Sequence, residues 1–246
     1  MNKPTDIGFI VAMKEEADSI AVSLGLTSRK TENGAYLTYF SPDERMVILT
    51  PGLDSQYQSF GNPVCRVGKV SAAAITTILI ERFKPRCIIN AGTSGGVASM
   101  GMNIGDVVVA DEITNHDMRI PLQGYKEYGT RKIPLKQMYK INFLHHSFKI
   151  GPVSSGESFS TSPEEWKIIK KSKALVKEME AAGVMQAVEI LNYISPVYVI
   201  KSVTDITDEH IHANVSSEEF RKNFVSAMKS LTKILLEVVD HTNEIV

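Results

Sequence analysis

The chain has 246 residues, of which 43% are hydrophobic and 22% are charged, and its net charge is −1 at neutral pH. This composition is typical of a globular protein, and the balanced charge argues against a nucleic-acid or membrane partner. No apolar run is long enough to cross a bilayer, and the polar segment 1–6 does not resemble a signal segment, so we expect a cytoplasmic protein.

Strand-like and helix-like segments alternate along the first half of the chain. In order, the patterns predict a strand at 6–12, a helix at 14–24, strands at 36–40 and 46–50, an irregular stretch at 52–68, a helix at 69–83 and a strand at 86–91. The last strand runs into the glycine-rich segment 92–96. The chain has two cysteines, Cys65 and Cys87, which do not form a CxxC pair, and this is typical of structural thiols in a reducing compartment.

The second half continues the alternation. The patterns predict a strand at 106–110, an irregular stretch at 115–142, strands at 150–154 and 175–179, a helix at 181–193 and a strand at 197–203. Capping boxes at 162–165 and 216–219 mark two further helices, the second of them long and amphipathic. Strands joined by crossover helices predict a single α/β domain over 1–246, with a central mixed, largely parallel twisted sheet flanked by helices.

Carboxylates follow several predicted strands. They are Glu15, Glu16, Glu178, Glu180, Asp205 and Asp208. Taken singly, Glu15 and Glu16 also fit a helix start, where they complement the helix dipole, and Asp205 fits an N-cap. Glu178 and Glu180 are two residues apart, so we expect them on one face of a strand. Ligands of such sheets bind at the carboxyl ends of strands, and buried acids are costly unless they bind something, which together favours a site.

Carboxylates without a cationic clamp suit the cleavage of a glycosidic bond. One acid protonates the leaving group, one carboxylate orients a water, and a further carboxylate accepts hydrogen bonds from sugar hydroxyls. Phosphoryl transfer calls for a P-loop instead, and the sequence contains no GxxxxGK[ST] motif.

Seven segments in a fixed order carry a family resemblance. They are IGFIVAMKEEAD (7–18), VGKVSAAAITT (67–77), KPRCIINAGTSGG (84–96), NIGDVVVADEITNHD (103–117), SSGESFS (154–160), KEMEAAGV (177–184) and VIKSVTDITD (199–208). Together they make the chain resemble the 5′-methylthioadenosine/S-adenosylhomocysteine nucleosidases of the purine nucleoside phosphorylase and uridine phosphorylase superfamily. The insertion after residue 52 and the segment HDMRIP at 116–121 resemble the plant-type branch.

The resemblance implies a homodimeric hydrolase without metal or cofactor, which cuts 5′-methylthioadenosine, with S-adenosylhomocysteine as a second substrate, into adenine and a 5-alkylthioribose. It implies that Glu16 holds the attacking water, that Asp205 protonates adenine at N7, and that Glu180 binds the ribose hydroxyls. The implied binding residues are Met179 against the sugar, Phe159 stacked on adenine, the Ser160 main chain on the purine edge, Thr93 and Gly95 around the sugar, and Thr204, which replaces a family serine.

Three further features bear on the reaction and its specificity. The first loop, 12–16, reads AMKEE where related phosphorylases carry an arginine for phosphate, so hydrolysis is favoured over phosphorolysis. Lys201 stands where many bacterial members have arginine, and Ser217 lies near a position that often carries phenylalanine over the 5′ group. The branch likeness favours methylthioadenosine.

Other functions fit parts of the sequence less well. A purine nucleoside phosphorylase and a non-catalytic storage protein of the superfamily remain alternatives, although storage members typically lose the acidic residues. The segment 92–96 matches the GxSxG elbow of serine hydrolases, but no patterned helix follows it. The adjacent histidines at 145–146 would face opposite sides of a strand, which is poor for binding one metal ion. The histidines at 210 and 212 lie on a predicted loop beside Asp208 and Glu209, where a solvated loop is favoured over a metal site, which needs three or four convergent ligands.

Overall fold

The computed structural model describes residues 5–30, 35–59, 61–135, 141–142, 144–208 and 217–242. Within these ranges the elements are β1 (Ile7–Ile10), α1 (Lys14–Leu24), β2 (Thr27–Lys30), β3 (Leu37–Phe40), β4 (Met46–Thr50), β5 (Leu53–Ser59), β6 (Asn62–Cys65), α2 (Lys69–Phe83), β7 (Cys87–Val97), β8 (Val107–Asn115), α3 (Tyr125–Gly129), β9 (Lys132–Pro134), β10 (Lys149–Ser155), α4 (Pro163–Ser172), β11 (Val176–Glu178), α5 (Ala181–Ile190), β12 (Val197–Thr207) and α6 (Ser217–Asp240). None of the helices in these ranges is long and apolar enough to span a membrane.

A mixed sheet forms the centre of the fold, as the sequence predicts. Its strand order is β11-β10-β8-β12-β7-β1-β4-β3-β2, with β9 added beside β8. The ladders β4–β1–β7–β12 and β8–β10–β11 are parallel, whereas β12–β8 and the edge β4–β3–β2 are antiparallel. Because β11 also pairs antiparallel with the far end of β7, the strands from β7 through β12, β8 and β10 to β11 close into a barrel.

Helices cover both faces of this sheet. Successive residues of a strand point to opposite faces, so Phe9 joins one buried cluster and Ile10 joins the other. The first cluster includes Ile20 of α1 and Leu231 of α6, and the second includes Leu79 of α2. Burial of these apolar side chains is the main force that holds the helices on the sheet.

Several predicted elements match the structure closely. Helices α1 and α2 have the predicted bounds, and α2 ends at Lys84 in the left-handed conformation just before Pro85. The capping box of α4 is confirmed, because Ser162 Oγ accepts from the Glu165 amide and Glu165 Oε2 accepts from the Ser162 amide at 2.7 Å. Helix α6 starts at the second predicted box, of which residue 216 lies outside the described residues.

Other predictions need correction. The stretch 52–68 is not irregular, because β5 and β6 pair there as a separate two-stranded sheet of mostly exposed residues. The polar strand β2 is missing from the sequence prediction, as are α3 and β9 within 115–142. Strand β11 ends at Glu178, so Glu180 is the N-cap of α5 and does not share a strand face with Glu178. Strand β12 continues to Thr207, which places Asp205 inside a strand and not at an N-cap.

Candidate active site

A cavity of about 430 Å³ opens where β1, β7, β11 and β12 meet α1. This volume falls in the range of pockets that enclose a small molecule. The residues to which the family resemblance assigns a role all line it, namely Glu16, Thr93, Gly95, Phe159, Ser160, Met179, Glu180, Thr204 and Asp205. Of the other strand-end carboxylates, Glu178 and Asp208 line the cavity and Glu15 does not. Segments that are far apart in the chain are therefore brought to one place.

Glu16 is held rigidly at the start of α1. Its side chain is 2% exposed, and Oε1 accepts hydrogen bonds from the Thr93 amide and the Thr93 hydroxyl, both at 2.7 Å. Oε2 accepts from the Met13 amide at 3.2 Å, which closes the helix N-terminus. A side chain at Gly92 would place its Cβ 3.0 Å from Oε2, so the strand can approach the carboxylate this closely only with glycine there.

Asp205 occupies a different environment on the other side of the cavity. It is 6% exposed, and Oδ1 accepts a hydrogen bond of 2.9 Å from the Thr204 hydroxyl. The ladder between β12 and β7 shifts register between Val203 and Asp205, so Thr204 bulges and the following carboxyl is turned toward the cavity. Burial raises the pKa of Asp205 above its ordinary value, against the opposing effects of the Thr204 hydrogen bond and the Lys177 charge.

Glu180 belongs to a buried ionic cluster with Glu178 and Lys201. Lys201 is 1% exposed, and its Nζ lies 2.9 Å from Glu178 Oε2 and 3.3 Å from Glu180 Oε2. Glu178 also accepts from the Glu180 and Ala181 amides, which caps α5. The expectation of carboxylates without a cationic clamp is therefore wrong, since two of them share one buried ammonium group.

The shared cation acts unequally on the two acids. Burial opposes the ionisation of Glu178, but the Lys201 charge and hydrogen bonds from Ser155 and Lys201 outweigh it and lower its pKa. Burial raises the pKa of Glu180, and the charges of Glu178 and Glu16 raise it further against the effect of Lys201. Glu180 Oε1 accepts only a long bond of 3.3 Å from the Gly68 amide. Of these two acids, Glu180 is the one positioned to bind a ligand.

Sequence reasoning missed part of the cavity wall. Lys177, Trp166, Val67 and Phe220 also line it. Trp166 of α4 is 3% exposed and belongs to a buried cluster with Ile169. Phe220 lies in the first turns of α6, three residues after Ser217, so an aromatic side chain lines the cavity near the position where family members often carry phenylalanine.

Two alternative interpretations find no support in the described residues. The GxSxG segment lies inside β7, which is followed by a three-residue 3-10 helix (Ala98–Met100) and not by the α-helix of a serine-hydrolase elbow, and Ser94 Oγ donates to the Ser202 carbonyl. The described residues contain no group of three or more His, Cys, Asp or Glu side chains that could hold a metal. His146 instead contacts Glu237 of α6, and the histidines at 210 and 212 lie outside the described residues.

Comparison with known proteins agrees with this geometry. The model of the family described as the Phosphorylase superfamily matches residues 6–240, and this superfamily is the class to which the fold and the cavity correspond. A 5′-methylthioadenosine/S-adenosylhomocysteine nucleosidase of Arabidopsis thaliana is 34% identical over 95% of the chain and 90% of its own length. A 5′-methylthioadenosine nucleosidase of the same plant is 32% identical over 97% of the chain and 88% of its own.

Solved structures give the same result. The apo form of Arabidopsis thaliana 5′-methylthioadenosine nucleosidase superposes with a TM-score of 0.83 at 29% identity, covering 98% of this chain and 97% of that one. A crystal structure described as an MTA/SAH nucleosidase has the same TM-score and coverage at 32% identity. The chain belongs to the 5′-methylthioadenosine/S-adenosylhomocysteine nucleosidase family of the phosphorylase superfamily.

Proposed function

We propose that this protein hydrolyses the N-glycosidic bond of 5′-methylthioadenosine, with S-adenosylhomocysteine as a second substrate, to adenine and a 5-alkylthioribose. The observation that carries the proposal is the meeting of Glu16, Glu180 and Asp205 around one cavity, each in a different environment. The family indicates the class of substrate, and the residues around the cavity provide the groups that cleavage of such a substrate requires.

Asp205 is the acid of the proposed reaction. Burial raises the pKa of Asp205 and so favours its protonated carboxyl, and this proton passes to N7 of adenine as the bond between C1′ and N9 breaks. The bonding electrons of that bond move into the purine ring, so the base leaves as neutral adenine. Phe159 lies beside this end of the cavity, where its exposed ring can stack on a planar base.

Glu16 is the group that directs water to the sugar. Its carboxylate is fixed by the Thr93 and Met13 donors, and it faces the glycine-lined wall of β7, where a ribose fits closely. As positive charge develops at C1′, a water held by Glu16 attacks that carbon and gives up its proton to the carboxylate. Acid and base roles are divided because Asp205 and Glu16 have different hydrogen-bond partners.

Glu180 binds the ribose. A carboxylate accepts hydrogen bonds from two neighbouring hydroxyls, and Glu180 Oε1 and Oε2 have only long contacts, of 3.3 Å each, with Gly68 and Lys201. Met179 lines the cavity next to it and supplies an apolar surface for the sugar ring. Phe220 and Val67 are the apolar groups available for the 5′-alkylthio substituent.

The charges around the cavity favour water over phosphate as the nucleophile. Glu16 lies at the start of α1, in the segment where a related phosphorylase carries an arginine, and a phosphate dianion beside it would be repelled. Among the described residues that line the cavity, Lys177 carries the cationic side chain, and its ammonium group already donates to two main-chain carbonyls. The presence of all three acids likewise argues against a storage protein.

We also propose, on the resemblance, that residues 1–246 form one catalytic unit, that two copies associate as a homodimer, and that the enzyme works in the cytoplasm without a metal or cofactor. Light scattering coupled to size exclusion measures the assembly, and a monomer at working concentration contradicts the dimer.

A substrate panel tests the function. Adenine release is measured from methylthioadenosine, S-adenosylhomocysteine, adenosine and inosine, each with and without inorganic phosphate. We expect release from methylthioadenosine at a rate that phosphate does not change. A rate that depends on phosphate would establish the phosphorylase alternative, and no release by folded protein from any of these nucleosides would favour the storage alternative.

A further inference from the structure

Lys177 is a buried lysine that the proposed reaction does not use. It lies in the middle of β11, is 7% exposed and lines the cavity. Its Nζ donates to the carbonyl oxygens of Ser158 at 2.9 Å and of Phe159 at 2.6 Å. A lysine is almost never buried unless it is paired, so these contacts and the nearby acids must offset its desolvation.

The sheet register explains how Lys177 comes to face Asp205. Gly95 of β7 is the partner of Lys177 on one side, in the antiparallel ladder with β11, and of Asp205 on the other side, in the parallel ladder with β12. Residues in register on neighbouring strands project to the same face of a sheet. Gly95 has no side chain, and a Cβ there would lie 3.0 Å from Asp205 Oδ2, so the Asp205 carboxyl lies over the glycine and no side chain of β7 stands between it and Lys177 at this position.

Lys177 also contacts the segment of the cavity wall that carries Phe159. The segment 156–161 follows β10 and carries Phe159 and Ser160, and both of these residues line the cavity. Phe159 is 58% exposed and so is not fixed by burial, but the Lys177 ammonium holds its carbonyl and lies 5.6 Å from its ring centroid. That distance is within the range of a cation–π contact.

We infer that Lys177 is a positioning residue: it fixes the main chain at Ser158 and Phe159 over the purine end of the cavity and sets a positive charge opposite Asp205. This inference rests on the proposed function, because it assigns the purine to that end. Two consequences follow. Loss of the ammonium group frees the Phe159 segment and weakens adenine binding, and loss of the charge lets Asp205 keep its proton to higher pH.

The charges around Lys177 explain why the loss of its charge should shift the titration of Asp205 in particular. Burial lowers the pKa of Lys177, and the groups that oppose this effect and favour its charged form are Asp205 of β12, Glu165 of α4, Glu178 of β11 and Asp117 after β8. His116 is also near, but burial and the Lys177 charge lower its pKa to about 4, so it is neutral where the enzyme works. Lys177 is the charged group that acts on the proton affinity of Asp205, beside the Thr204 hydrogen bond.

The test compares K177M, which keeps the length of the side chain but not its charge, with K177R, which keeps the charge. For each folded variant, calorimetry gives the adenine Kd and initial rates give kcat/KM for methylthioadenosine against pH. We expect K177M to weaken adenine binding about tenfold, as for the loss of charge-assisted hydrogen bonds. We expect the alkaline limb of kcat/KM to move up by about one pH unit in K177M and to stay near that of the wild type in K177R.

The two proposals can fail separately. If the wild type binds adenine but releases none from methylthioadenosine, the proposed function is wrong, and the adenine Kd of the variants still tests Lys177. If the wild type is active and folded K177M keeps both its adenine Kd and its alkaline limb, the role of Lys177 is wrong. K177Q serves as a second neutral variant should K177M not fold, with the same expected results.

Discussion

Removal of the Lys201 charge is expected to destabilise the fold strongly. In Lys201→Met the carboxylates of Glu178 and Glu180, which lie 2.9 and 3.3 Å from Nζ, stay buried without their cation. Breaking a buried pair by removing one partner costs about 3–5 kcal/mol. For a chain of this size each kcal/mol lowers the melting temperature by about 2–4 °C, so the expected loss is about 6–20 °C.

Differential scanning calorimetry at pH 7 measures this loss, and two further variants locate its cause. Lys201→Arg keeps the charge and should lose much less. In the double variant Lys201→Met with Glu178→Gln, one uncompensated charge is also removed, so part of the stability should return. A Lys201→Met protein that melts within 2 °C of the wild type would refute the view that this ammonium group compensates the two acids.

Three smaller predictions concern the same region. Gly95→Ala should displace Asp205, since its Cβ would lie 3.0 Å from Oδ2, and steady-state assays should show kcat reduced by up to about 100-fold. Thr93→Val removes a 2.7 Å hydrogen bond to Glu16 and should lower kcat/KM about tenfold or more in the same assays. Unchanged rates would contradict either expectation. His116 has a folded pKa of about 4, lowered by burial, so the unfolded chain binds its proton first and stability falls as pH drops from about 6.5 to 4. Urea denaturation should show that the wild type loses up to about 3 kcal/mol of unfolding free energy over this pH range and that His116→Asn lacks this loss. Parallel profiles of stability against pH for the two proteins would contradict the prediction.

The regular elements were predictable from local pattern. Helices α1 and α2 have apolar residues at helical spacing and clear end signals, Gly25 after one and Pro85 after the other, so their bounds follow from the sequence. Strand β2 and the hairpin of β5 and β6 are polar and largely exposed, so they lack the alternation on which strand prediction depends. Their pairing is a product of tertiary contacts.

The acidic residues of the candidate site could be predicted from the sequence, but its buried lysines could not. Glu16, Glu180 and Asp205 stand out because acidic residues near apolar strands are unusual, and the family resemblance assigns them roles. Lys177 and Lys201 look in the sequence like ordinary solvated lysines, because burial of a lysine depends on which strands become neighbours. The meeting of Lys177 and Asp205 across Gly95 follows from the closure of β11 onto β7, which no local pattern encodes.

The division of labour among the acids is tested most directly by single-turnover cleavage of methylthioadenosine by Asp205→Asn at neutral pH. An amide in place of the buried carboxyl cannot transfer a proton to the base, so adenine release should slow by about 10²–10⁴-fold while the protein stays folded and still binds adenine. Turnover near that of the wild type would show that the leaving base takes its proton from elsewhere.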